Sequence, residues 1–148
     1  MPPSTLTDRR LTDTDIARIG AGMEARTLPK AEWTHAGHFA AALWLLTRPG
    51  RDAFVEMPAL IRAYNVAVGG ENTDTAGYHE TITQASLRGA RAHLDADPGA
   101  GLSTVLADLL AGELGRSDWL LAYWSRERLF SVEARRAWLA PDLQPLPF

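Results

Sequence analysis

Four histidines, His35, His38, His79 and His93, are the residues of this sequence best suited to chemistry, and there is no cysteine. The lack of thiols excludes disulfides, cysteine nucleophiles, Cys-type zinc sites and iron–sulfur clusters, which leaves imidazole working with carboxylate. Glu32-Trp33-Thr34-His35 is a Glu-x-x-His step. At that spacing both side chains share one helix face, the device by which carboxylate-bridged metal bundles present ligands inward. Neutral imidazole and carboxylate suit Zn, Fe, Ni or Mn. His35 and His79, with Glu32 or His38 as the third ligand, would leave an open position for water. A di-iron bundle uses two such steps, and this chain has one. His79 and Glu80 are adjacent and point about 100° apart on a helix, so they do not share an ion.

The same residues also allow metal-free acid–base chemistry. Histidine titrates near neutrality, and a helix N-terminus disfavours the imidazolium. His79 then serves as a neutral base, with Tyr78 or His35 as the acid or orienting group. Ser86 and Thr83 lie near His79 by spacing, but in mid-helix and not on the strained turn of an activated nucleophile. A third reading is structural. Inward histidines satisfied by carbonyls or carboxylates would belong to a non-catalytic ligand-binding or dimerising scaffold.

The elements that must position these residues read as helices. Thr12 to Asp15 supply caps and first-turn acids for a helix to about Arg26, with Ile16, Ile19 and Met23 on one stripe. A second helix runs from Pro29, or from Thr34 as its N-cap, to Thr47. A third spans about Arg51 to Val68, with Pro58 marking a kink or a split. A fourth starts at Ala76 or Tyr78 and runs to Ala96. Ser103 caps a fifth to Leu114, and Ser117 and Ser131 cap shorter helices at about Asp118–Trp124 and Val132–Leu139. No stretch alternates as a strand would, and no long repeat is visible. The expectation is an all-α fold: a four-helix core bundle with smaller C-terminal helices packed on it, in a single domain. Residues 1–11 are expected to be a flexible arm, and 141–148 a Pro-rich, non-helical tail.

Helical spacing gives the side chains directions. His35 falls at the N-terminal edge of the stripe formed by Phe39, Ala42, Leu43 and Leu46, with Glu32 on the same stripe if the helix starts at Pro29. His38 lies on the flank. On the fourth helix Gln84, Arg88, Arg91 and Asp95 mark a solvent face, and His79, Thr83 and Ser86 point inward, where they need partners. Short connections make consecutive helices antiparallel. His35 and His79 therefore belong to one end of the bundle, and His93 to the other. The Gly69–Gly77 loop, rich in turn formers, leads into Tyr78-His79.

The second helix is apolar nearly all round, so Trp44 must be covered either by the C-terminal helices or by another subunit. Trp33 is placed to roof the histidine pocket. Arg126 or Arg128 could reach that pocket and clamp an anionic ligand.

Composition bounds the remaining possibilities. The 148 residues carry 15 Lys+Arg against 18 Asp+Glu, a net charge of −3 that argues against a nucleic-acid partner. The N-terminus lacks the pattern of a secretory signal. The longest apolar stretch, Phe39–Leu46, falls short of the ~20 residues of a membrane span, so a cytoplasmic location is expected.

Two strings carry a resemblance, Trp33-Thr34-His35-Ala36-Gly37-His38 and Gly77-Tyr78-His79-Glu80-Thr81-Ile82-Thr83, joined by Tyr123-Trp124-Ser125-Arg126-Glu127-Arg128-Leu129-Phe130-Ser131. They resemble the shared pattern of an uncharacterised group of small, all-helical bacterial proteins. That resemblance covers about Leu28 to Leu143 and implies no particular activity. In length and helix count the chain is also similar to the DinB-like metal-binding family, whose His-x-x-x-His pair on a late helix is missing here. A pocket built on His35 and His79 is expected, holding a divalent metal and a small-molecule ligand for hydrolase or transferase chemistry. His79, His35 and Tyr78 take the catalytic roles, Glu32 and His38 complete the metal set, and Arg126 and Thr83 contact the ligand. A homodimer is the further expectation for assembly.

Overall fold

Alanine, leucine and aromatic residues on every side of the second helix give it no face to turn to water, and the fold is built round it. In the computed structural model, which describes residues 10–148, this helix is α2 (His35–Leu46), with Phe39 to Leu45 all buried. Helix α1 (Asp13–Ala25) lies closest to it. Close approach is possible because Gly20 has no side chain: a Cβ there would run into the Trp44 indole. Trp44 is thus covered inside the chain, with α1 against its indole and the Arg48 and Arg51 guanidiniums 5.4 and 6.0 Å from its ring.

Helices α3 (Ala53–Ala67), α4 (Glu80–Ala96) and α5 (Leu102–Ala111) complete the bundle, and their buried side chains form one continuous core with those of α1 and α2. There is no strand among the described residues, and the fold is all-α. Arg51, just before α3, ties α1 to α3 by donating to Glu24 at 2.8 and 2.5 Å and to Glu56 at 2.9 Å.

Pro58 neither splits nor ends α3. A proline within a helix leaves the carbonyl four residues back without its N–H partner, here that of Phe54. Gln84 of α4 supplies the missing donor, its Nε2 lying 3.0 Å from the Phe54 oxygen. Gln84 is half-buried for that reason, not part of a solvent face. Arg88, from the same face, covers the Trp138 ring at 3.9 Å.

Several boundaries differ from expectation, each for a local reason. Thr34 is the N-cap of α2, its hydroxyl accepting from Gly37 N–H, and Lys30–Glu32 form a separate 3-10 turn. Helix α5 begins after Gly101, and the Ser103 amide is bonded by Asp13 of α1 at 2.7 Å. Beyond α5 the chain breaks into 3-10 turns at Glu113–Gly115 and Trp119–Ala122 and two short helices, α6 (Arg126–Leu129) and α7 (Val132–Arg136). Ser125 caps α6, an element that apolar spacing does not predict, and Ser131 caps α7 as expected.

Both ends of the described chain are docked. Residues 1–9 of the expected arm lie outside the described residues, but Arg10 donates to the Ser103 and Thr104 hydroxyls at 3.1 Å. The tail is non-helical, as the prolines require. Even so, Leu143 N–H reaches the Tyr123 carbonyl at 2.9 Å, and Phe148 lies 6.1 Å from the Trp119 ring.

Candidate functional site

Helix α4 starts at Glu80, so His79 is not in its first turn but immediately before it, as the N-cap. The residue is extended, with φ −134° and ψ 111°, and its Nδ1 accepts from Ile82 N–H at 3.2 Å. An accepting Nδ1 carries no proton, so the neutral ring holds its hydrogen on Nε2. That nitrogen donates to the Leu129 carbonyl of α6, 2.7 Å away and 50 residues on. The side chain is 7% exposed. Burial, and then the positive charge of Arg135, hold its pKa below the ordinary histidine value, and the bond to Leu129 opposes them.

The residues around His79 make a second layer. Gly77 precedes it with φ +83°, a conformation that suits glycine, and any Cβ there would strike the Glu71 carbonyl. Asn72 organises this turn: its Oδ1 accepts from Tyr78 N–H at 3.1 Å, and its Nδ2 donates to the Arg62 carbonyl at 3.0 Å. Tyr78 is buried, and its hydroxyl donates to Glu80 Oε1 at 2.5 Å. Thr83 lies beside the same hydroxyl. Arg62 lies over the tyrosine ring at 4.4 Å. Burial and the Glu80 carboxylate raise the Tyr78 pKa well above the ordinary tyrosine value, which makes the phenol a poor proton donor near neutrality. Tyr78, Glu80 and Thr83 are thus brought together.

The other predicted residues have separate partners. His35 turns its Nε2 to the Leu114 carbonyl at 2.7 Å and sets its ring edge-on to Phe39. His38 binds the Thr34 carbonyl through Nδ1 at 2.7 Å, and Trp33 lies over it at 3.9 Å. Trp33 therefore roofs His38 and Tyr64, its other ring neighbour. Glu32 is not on α2, and its carboxylate accepts from Arg18 of α1 at 2.7 Å. His93 bonds the Gly89 carbonyl of its own helix. The expected ligands His35, His79, Glu32 and His38 are consequently not gathered round one ion, and among the described residues no three of His, Asp and Glu are placed to hold a metal.

The sequence points to Arg126 or Arg128 for this site, and a third arginine occupies it. Arg126 is exposed, and Arg128 donates to the Ala140 carbonyl at 2.6 Å. Arg135 of α7 is the one beside His79, donating to the Gly77 and Tyr78 carbonyls at 3.0 and 3.3 Å. Nothing in local spacing marks it, because its partners lie nearly 60 residues earlier; Arg136 next to it pairs with Asp74 at 2.8 and 2.6 Å.

Thr81, also buried, binds both sides of the returning chain. Its hydroxyl donates to the Ala137 carbonyl at 2.9 Å and accepts from Leu139 N–H at 3.1 Å. A concave surface lies further along this segment, a shallow groove of about 470 Å³ lined by Ser125, Glu127, Arg128, Ser131, Glu133, Leu139 and Asp142. No helix among the described residues is long and apolar enough to cross a membrane. No protein-family model, curated protein or solved structure matches the chain.

Proposed function

We propose that the chain is a cytoplasmic, non-catalytic helical binding protein in which the histidines are structural. The observation that supports this reading is the His79 ring, whose two nitrogens are committed to Ile82 N–H and the Leu129 carbonyl. An imidazole used in this way fastens α4 to α6 and has no lone pair left for a metal or a substrate proton. His35 fastens α2 to the Leu114 turn through its Nε2. A small ligand would then seat away from the histidines, and the groove between Ser125 and Asp142 offers it a concave surface.

Metal analysis of protein purified without a histidine tag, together with thermal melts in the presence and absence of zinc, tests this reading. The expected result is no stoichiometric transition metal and no rise in Tm with zinc. His79→Ala should lower stability by about 1 kcal/mol for the lost cap and by about 1–3 kcal/mol for a buried carbonyl left unpaired. Stoichiometric metal that disappears in His79→Ala would overturn it in favour of a Zn, Fe, Ni or Mn site on His35 and His79 with Glu32 or His38.

A further inference from the structure

We propose that His79 is an acid-sensitive latch: protonation of its ring uncaps α4 and loosens the C-terminal segment fastened there. This switch presupposes the structural role given to His79 above. Its readout is a pH response and not metal content, so the latch can fail while that role stands, and a failure of the role itself is seen separately in the metal analysis.

The geometry dictates the response. In the neutral ring each nitrogen has the right partner, an N–H at Nδ1 and a carbonyl at Nε2. A second proton can only go to Nδ1, where it would face the Ile82 N–H at 3.2 Å, donor against donor. The ring must then turn away, which also breaks its bond to Leu129. The new positive charge would sit at the N-terminus of a 17-residue helix, where the backbone dipole opposes it.

The charged neighbours reinforce this. From α7, Arg135 stands beside the ring and is anchored on the Gly77 and Tyr78 carbonyls. On α4 the adjacent carboxylate, Glu80, is engaged by the Tyr78 hydroxyl, and from α3 Arg62 covers that tyrosine. On α6, Arg128 is turned to Ala140, and Arg126 and Glu127 are exposed. Among these groups Arg135 is the charge that acts on His79, and it is of the sign that resists protonation.

The direction follows by linkage. Burial above all, with Arg135 adding to it against the opposing bond to Leu129, places the folded-state pKa of His79 below that of a free histidine. The unfolded or locally opened chain therefore binds the proton more tightly than the closed one. The stabilisation is complete above the unfolded value of about 6.5 and is lost as pH falls through the lowered folded value.

Hydrogen exchange at Ile82 and across residues 126–139, corrected for the intrinsic pH dependence of exchange, tests the latch between about pH 7.5 and about pH 5. The wild type should lose protection on acidification by about fivefold, the scale of a missing N-cap. His79→Asn, which can cap a helix but does not titrate, should show no change over that range. Arg135→Gln should keep the response and move its midpoint to higher pH. Constant protection in the wild type, or a His79→Asn response equal to it, overturns the proposal. Should His79→Asn not fold, ring titration of the wild type by NMR decides: titration in step with the Ile82 amide supports the latch, and titration without any amide change overturns it.

Discussion

The five-helix bundle and the C-terminal quarter share one apolar core, to which Trp119, Leu120, Trp124 and Leu129 contribute, but they are held in position differently. In the bundle, stripes of Ile, Leu, Met and Ala bury against one another round α2, and polar contacts trim the edges. From Glu113 onward the longest regular element has only five residues. There the chain is pinned by individual polar side chains: His79 on Leu129, Thr81 on Ala137 and Leu139, Trp124 Nε1 on the Leu139 carbonyl, and Asp142 on Ser125. Apolar burial is non-directional and tolerates small shifts, whereas a hydrogen bond demands position. The bundle is therefore fixed by area, and the C-terminal quarter by area and address together.

Three substitutions sharpen or break this contrast. Leu43→Ala, at a fully buried site on α2, should have the largest effect, about 2–5 kcal/mol. Denaturant unfolding followed by circular dichroism should show one transition moved as a whole; a loss confined to the C-terminal quarter would break the distinction. Thr81→Val keeps the shape of a buried side chain while removing its hydroxyl, and should cost about 1–3 kcal/mol. Limited proteolysis should then cut near residues 137–139 first, with bundle helicity unchanged. Arg136→Gln removes an exposed ion pair to Asp74 and should leave the Tm of the wild type unaltered. A clear fall in Tm would mean that surface charge also holds the C-terminal quarter in place.

The same contrast explains what could be read from the sequence. Ile16, Ile19 and Met23, and the apolar run Phe39–Leu46, recur at helical spacing, so the bundle helices can be anticipated to within about a turn. Their ends are less legible where a cap comes from elsewhere in the chain, as Asp13 does for α5. Helix α6 has four residues, too few to display a period, and only the Ser125 cap announces it. At the candidate site, the inward direction of His79 and Thr83 and their need for partners are visible in the spacing. Histidine is an uncommon N-cap, so its capping role is not, although Gly77 two residues before it and Glu80 just after it frame a helix start. Arg135 and the Leu129 carbonyl cannot be found by spacing, because tertiary packing alone delivers them.

The pairing of Gln84 with the Phe54 carbonyl has a consequence for alignment. Pro58 cuts one notch into the hydrogen-bond ladder of α3, and a single amide on α4 fits it. Were α4 to slide by a turn, about 5.4 Å, the tooth would miss the notch and both groups would be stranded. Two neighbouring rods with smooth flanks could settle at several axial offsets; this pair is indexed to one.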